Sequence, residues 1–374
     1  MASRRSKTGV VGLIDSASVV VCCGSGGVGK TTTAAAIAVE AARRGRRVVV
    51  VTIDPAKRLA DALGLSGHLD NEPRAVDGKL LGDSDIELWA MMLDARATFD
   101  AVVRRHARDE AQVGRILDNA FYRNVASRLS GSQEYMAAEK LYELHNDERF
   151  DLVVVDTPPS REALDFLDAP QKLMNFLDHR VYRWLVAPTR GGLKVLNVAA
   201  QPIIRTIGRV IGADVLADAI TFFRAFEGIE SGFRERARAV QTLLRSRSTR
   251  YVVVASPRRD TVEEALYFVG QLGREGVDVG ALVLNRLLPE FGRGSSASAR
   301  TAARKAIREG NEEMAALHRN LADLRAMSEA EAAAVEPVVA AVADAPVVRL
   351  RQRPEDVHDL VAILSLADEL VAGH

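Results

Sequence analysis

A chain of 374 residues with 50 basic and 50 acidic side chains carries no global field that would draw it onto nucleic acid. Its hydrophobic content, 48%, is that of a soluble globular protein, and its length calls for one large domain or two. The two cysteines, adjacent at 22 and 23, exclude a disulfide framework and a four-cysteine zinc site.

Residues 1–16 are basic at Arg4, Arg5 and Lys7, and their apolar stretch, 10–14, is too short for a signal peptide. No apolar run approaches the roughly 18 residues that span a bilayer. A cytoplasmic protein is expected.

The first strand-like run, 18–23, is continuously apolar, as in a parallel sheet buried on both faces. Cys22 and Cys23 point to opposite faces of such a strand and share no ligand sphere, so they read as small buried apolar residues. GSGGVGKTT, residues 24–32, comes next. A helical pattern over 31–44 follows and ends at Gly45, and a second apolar strand is expected over 47–53. Strand, loop, helix and strand in that order form the right-handed unit of α/β folds.

Further strands are expected at 151–155, 251–255 and 281–284. Residues 95–149 and about 165–246 have no convincing strand and carry helical spacing, as in Ile203, Ile207 and Ile211, then Leu216, Ile220 and Phe223. They read as a helical subdomain inserted into one domain spanning 1–374. Its apolar stripes, including Leu173, Phe176 and Leu177, fit a bundle core better than a client groove. A single long surface helix is expected over 297–333, after a short flexible loop at 292–299.

The glycine loop admits two readings. Gly24, Gly26 and Gly29 spell G-x-G-x-x-G, the dinucleotide fingerprint, which also wants an acidic residue roughly 20 positions on, a place Asp54 could fill. Gly24, Gly29, Lys30 and Thr31 spell G-x-x-x-x-G-K-[ST], the triphosphate loop. Only the second explains Lys30 and Thr31. Backbone N–H groups at the helix start cradle phosphates, Lys30 reaches the β/γ oxygens and the Thr31 hydroxyl ligates Mg²⁺. Residues 150–156 (FDLVVVD) are an apolar strand ending in Asp156, the acid expected to support that Mg²⁺. The candidate ATP contacts are therefore Gly24, Gly26, Gly27, Val28, Gly29, Lys30, Thr31 and Thr32. Asp54 is the candidate to position or activate a water against the γ-phosphate, and it also suits the N-cap of a helix starting near Pro55.

Three segments together resemble the ArsA-type ATPases, a deviant-P-loop family that includes the arsenite-pump ATPase and the ATPase escorting tail-anchored membrane proteins. Residues 24–31 (GSGGVGKT) resemble K-G-G-x-G-K-[ST]. Asp54-Pro55-Ala56 with Leu59 and Asp61 resembles the first switch, and 156–160 (DTPPS) the second. The resemblance covers nearly the whole chain. It implies a P-loop fold with a mostly parallel sheet, an MgATP-dependent dimer, Asn285 reading adenine and the segment around Pro346 closing over the base. It implies partners too: a second copy or an ArsA-like paralogue, and a protein or membrane-protein client. Glu134 matches a switch-linked loop weakly.

The departures are as informative. The family's signature lysine, which crosses the dimer interface, is Ser25 here. The metalloid-binding and zinc-bridging cysteines are missing, and 165–246 holds one methionine, Met174. A switch ATPase of the chaperone or targeting type is the leading expectation. A regulatory scaffold with little hydrolysis is the second; a spatial-partitioning ATPase and an arsenite pump are weaker.

Overall fold

A computed structural model describes residues 9–53, 58–65, 67–124, 132–158, 162–179, 212–342, 344–357 and 359–372. In chain order these form α1 (Val10–Ser16), β1 (Val19–Cys23), α2 (Lys30–Arg43), β2 (Val48–Thr52), α3 (Arg58–Ala62), β3 (Arg74–Ala75), α4 (Gly78–Leu81) and β4 (Leu88–Met92). Next come α5 (Ala95–His106), α6 (Glu110–Leu117), α7 (Ala120–Asn124), α8 (Ser132–His145), β5 (Leu152–Asp156), α9 (Glu162–Asp178), α10 (Ala213–Ala225) and α11 (Glu230–Leu244). The chain closes with β6 (Thr249–Ala255), α12 (Arg259–Arg274), β7 (Val279–Leu287), α13 (Ser296–Arg308), α14 (Glu312–Ala341), β8 (Val347–Arg351) and α15 (Leu360–Ala372).

The described residues fall into two units. The first comprises 1–92, 147–163 and 247–374; the second comprises 93–146 and 164–246. The first holds one eight-stranded sheet in the order β3-β4-β2-β5-β1-β6-β7-β8. Every neighbouring pair is parallel except β3 with β4. Its central strands are runs of valine because both faces are covered: all five residues of β1, β2 and β5 are buried. Each fully buried valine contributes roughly 1.5–3 kcal/mol of transfer free energy. This is a P-loop-type α/β architecture.

The strands expected from the sequence all form, with ends shifted by up to three residues. β3, β4 and β8 were not foreseen. β8 alternates, Val347-Val348-Arg349-Leu350-Arg351, with only Val348 and Leu350 buried, because it is an edge strand with one face in solvent. The long helix expected over 297–333 is two helices. Gly310, with φ of 73°, ends the first, and the Asn311 side chain accepts a hydrogen bond from Met314 N to cap the second. The loop expected at 292–299 is shorter, since Ser295 caps α13 by accepting from Ser298 N.

The second unit is helical throughout its described residues. Its core is aromatic: Phe99 stacks on Tyr122 with ring centroids 4.9 Å apart, and Phe222 and Phe226 pack at the same separation. Leu173 and Leu177 join this core, whereas Phe176 is 46% exposed. Ile203, Ile207 and Ile211 lie outside the described residues. Beside the core, Arg236 Nε donates to Glu139 Oε1 at 2.6 Å, and the Glu139 side chain has no solvent exposure. Burial raises the Glu139 carboxyl above its ordinary value of 4.5, against the pull of Arg236. Arg236→Met is expected to destabilise the unit by about 3–5 kcal/mol by leaving a buried carboxylate without its donor. The sign follows from the raised pKa. The unfolded chain ionises Glu139 first, so the loss grows as pH rises through the ordinary glutamate range and shrinks in acid. Thermal unfolding of the variant across pH measures this.

Candidate phosphate-binding site

Parallel strands bring their C-terminal ends to one edge of the sheet. Register sets Cys22 opposite Asp156 on one side and Val252 on the other, with Thr52 opposite Asp156 and Val254 opposite Val283. The loop after β1, the carboxylate ending β5 and the ends of β2, β6 and β7 therefore converge. β1 connects through α2 to β2, two places away on one side, while β6 lies on its other side. That reversal leaves a crevice at the strand ends, where α/β folds bind ligands.

The loop itself is shaped by close backbone approach. Gly24 follows β1 so tightly that a β-carbon there would collide with the Val254 carbonyl oxygen. Gly29 takes φ of 96° as the residue before α2, and a β-carbon would strike the Asn285 amide. Gly26 and Gly27 are exposed, whereas Ser25, Val28 and Lys30 are buried and Thr32 is half-buried in the first turn of α2. Lys30 reaches back across the loop, its Nζ donating to the Ser25 carbonyl at 2.9 Å. The hollow thus holds a buried cation beside the N-terminal N–H groups of a 14-residue helix.

The acid stands beside it. Asp156 is wholly buried; its Oδ2 accepts from Thr31 Oγ1 at 2.6 Å and from Thr52 Oγ1 at 3.1 Å. Thr157 hooks the following turn to β1 by donating from Oγ1 to the Cys22 carbonyl at 2.7 Å. A hydroxyl and a carboxylate in contact at the start of a helix are hard oxygen donors, a set that fits Mg²⁺. The Cys22 thiol on β1 is pushed well up by burial and by the Asp156 charge; burial raises the Cys23 thiol to about 12.

The remaining expected residues divide. Asn285, at the end of β7, meets the loop: its Nδ2 donates to the Val28 carbonyl at 2.8 Å. Pro346 does not join them. It lies just before β8, where its carbonyl accepts from Leu282 N, three residues upstream of Asn285 on a strand running the same way. It therefore lines a cavity with residues from the N-terminal ends of the strands, among them Arg250 and Val279. The end of β8 reaches the ligand edge instead: Gln352 N donates to the Leu287 carbonyl, and Pro354 follows in the next turn. The alternation of β8 marks a strand there, but which of its ends reaches this edge is set by its parallel pairing with β7. Asp54, Pro55, Ala56, Lys57, Ser130, Gly131, Pro159 and Ser160 lie outside the described residues. Of the first-switch pattern, Leu59 is buried in the core and Asp61 is exposed. Glu134 is half-buried on α8 of the second unit.

The model of the family described as anion-transporting ATPase, ArsA, matches residues 17–318, most of the chain. The chain belongs to that family. Among relatives, it is 24% identical over 241 residues to an ATPase ASNA1 homolog of Entamoeba dispar, covering 64% of this chain and 66% of that protein. It is 24% identical over 254 residues to a putative arsenical pump-driving ATPase of Aquifex aeolicus, covering 64% and 56%. A putative arsenical pump-driving ATPase of Halobacterium salinarum is 33% identical over 146 residues, covering 38% and 22%. The chain thus spans at most 66% of the length of these relatives. Among the described residues, no helix is long and apolar enough to cross a membrane.

Proposed function

We propose that this chain binds MgATP in the loop of residues 24–32 and hydrolyses it to drive a conformational switch. The observation that carries the reading is Thr31 and Asp156 in contact beside a buried Lys30 at a helix N-terminus. Lys30 would pair the β/γ oxygens, the N–H groups of residues 26–32 would cradle the phosphates, and Thr31 and Asp156 would hold Mg²⁺. Bound Mg²⁺ would neutralise charge on the phosphate oxygens. Asp54 would orient the attacking water. Changes in the Asp54 and Asp156 loops would be passed to the helical unit, read as a subdomain inserted into a single P-loop domain. In this reading the working form is a dimer, of two copies or with an ArsA-like paralogue. It acts in the cytoplasm on a protein or membrane-protein client, without nucleic acid. Ser25 in place of the family's lysine favours a second reading, a regulatory protein that binds nucleotide and turns it over slowly.

Titration calorimetry of the full chain with MgATP and with NADH, followed by steady-state phosphate release, tests this. Binding of MgATP with none of NADH is expected; the reverse sinks the assignment. Arsenite, an arsenical of the kind the names of two relatives print, is expected neither to bind nor to stimulate hydrolysis, and the same is expected of antimonite. The chain's two thiols are buried and held protonated, while metalloid capture needs accessible thiolates. Stimulation of phosphate release at stoichiometric arsenite refutes that expectation.

A further inference from the structure

We propose that the cavity at the edge of the sheet opposite the phosphate loop binds a small zwitterion with an apolar body, as an apolar amino acid or dipeptide presents. The proposal does not depend on what residues 24–32 bind.

The cavity, to which Pro346 contributes, has a volume of about 600 Å³, within the range of small-molecule sites. It lies entirely in the first unit. Its walls are α1, the starts of β6 and β7, the C-terminal end of α12 and the turn from α14 into β8. Along β6, Arg250 lines this cavity, whereas the Val254 carbonyl faces Gly24 of the glycine loop. Those two positions are roughly 13 Å apart along the strand, so the two sites are separate.

Much of the lining is apolar, with Leu13, Val269, Val277 and Val279 among it. Glycine makes the room. A β-carbon at Gly280 would lie 2.9 Å from Leu13 Cδ1 and 3.0 Å from Arg250 Cβ, so only glycine lets α1 close onto the strands with Arg250 between them. A β-carbon at Gly273 would meet nothing within 4 Å, so the space before it is open. Arg250 shares a strand face with Val252 and Val254, which belong to the same core as Leu13. An arginine thus begins a row that is otherwise apolar.

The charged residues of the lining are Arg250, half-buried, and Asp278 and Asp344, both exposed at the rim. Among the described residues, none of the three makes an ion pair or a side-chain hydrogen bond. Opposite charges that share a cavity without meeting keep their bonding capacity for a ligand. The guanidinium fork fits a carboxylate, and the two rim carboxylates fit an ammonium. The same set selects against other charge types. A polyphosphate or dicarboxylate would bring surplus negative charge against two aspartates, and a simple amine would face Arg250. A zwitterion whose carboxylate points inward and whose ammonium stays at the mouth answers all three groups, and its alkyl body covers the apolar walls.

Titration calorimetry of the full chain with leucine, leucyl-leucine, isocaproate, isoamylamine and glycylglycine tests each part. Isocaproate is leucine without its amine, isoamylamine is leucine without its carboxylate, and glycylglycine lacks the apolar body. At least one of the two apolar zwitterions is expected to bind about tenfold more tightly than any of the other three, the scale of one charge-assisted hydrogen bond. The tighter of the two tells a free amino acid from a peptide as the ligand. Arg250→Met, which keeps an unbranched stem, is expected to weaken that zwitterion about tenfold or more. Asp278→Asn combined with Asp344→Asn is expected to weaken it similarly and to leave isocaproate unchanged. Gly273→Leu fills open space and is expected to block binding while unfolding no lower than wild type, since leucine replaces glycine in a helix. Should Arg250→Met fail to fold, the exposed aspartate pair and Gly273→Leu carry the comparison. Absence of binding by both apolar zwitterions at about 10 mM overturns the proposal, because even a weak small-molecule site is filled there. Equal affinity for isocaproate overturns it as well, as does unchanged zwitterion binding in Arg250→Met or Gly273→Leu.

Discussion

Lys30→Met is expected to weaken MgATP binding by roughly 30- to 4000-fold, the range set by about 2–5 kcal/mol for removing one partner of a buried charge pair. Lys30 is 7% exposed, and its ammonium lies across the loop on the Ser25 carbonyl, within the loop read as the phosphate cradle. Methionine keeps the unbranched stem and removes only the cation, which leaves the packing at the start of α2 intact. The variant should therefore unfold at nearly the wild-type temperature without nucleotide and lose the upward shift that MgATP gives the wild type. Thermal unfolding with and without 1 mM-scale MgATP reads both quantities together, on the order of a thousandfold range of affinity being accessible this way. A variant that keeps the full nucleotide shift would show that Lys30 does not face phosphate.

Much of this architecture is legible in the residues, for identifiable reasons. β1, β2 and β5 are buried on both faces, so their valine runs need no knowledge of the rest of the fold to be read as central strands. Asp156 is legible because it is the carboxylate that ends an apolar strand, at the C-terminal edge of a parallel sheet where ligands bind. What is not legible depends on tertiary partners. β4, Leu88-Trp89-Ala90-Met91-Met92, has a mixed composition that becomes a strand only by pairing with β2. The break between α13 and α14 rests on Gly310 and Asn311, inside a stretch otherwise rich in helix formers. Pro346 was assigned to the base by resemblance alone, and its place just before β8, beside Leu282, follows only from the pairing of β8 with β7. Asn285 was assigned to the base by resemblance alone; its bond to Val28 joins residues no spacing could link.

Ser25 carries the last and largest expected effect. In the family that this chain resembles, the corresponding lysine crosses a dimer interface to the partner's phosphates, and a cation delivered in trans is worth on the order of 10³–10⁵ in rate. Ser25 has neither charge nor reach, and it is 7% exposed within the loop. Two copies of this chain would each lack the cation, so the purified protein is expected to bind MgATP and release phosphate slowly. Ser25→Lys is expected to raise the rate in a dimer: the flexible stem of lysine can carry its ammonium out past the exposed Gly26 and Gly27. The gain should appear in kcat with little change in KM, because a cation placed on the developing charge acts on the transition state more than on bound substrate. A paralogue that keeps its lysine should do the same for the wild-type site when mixed with it, while its own site stays incomplete. Lys57 and Arg58, in the first switch, are the alternative source of the cation. If either supplies it, wild type hydrolyses rapidly alone, Ser25→Lys changes nothing, and Lys57→Ala or Arg58→Ala removes the activity. Phosphate release by wild type, Ser25→Lys and the two switch variants, measured over a range of protein concentration, separates these outcomes, since only a cation acting in trans makes the specific rate rise with dimer formation.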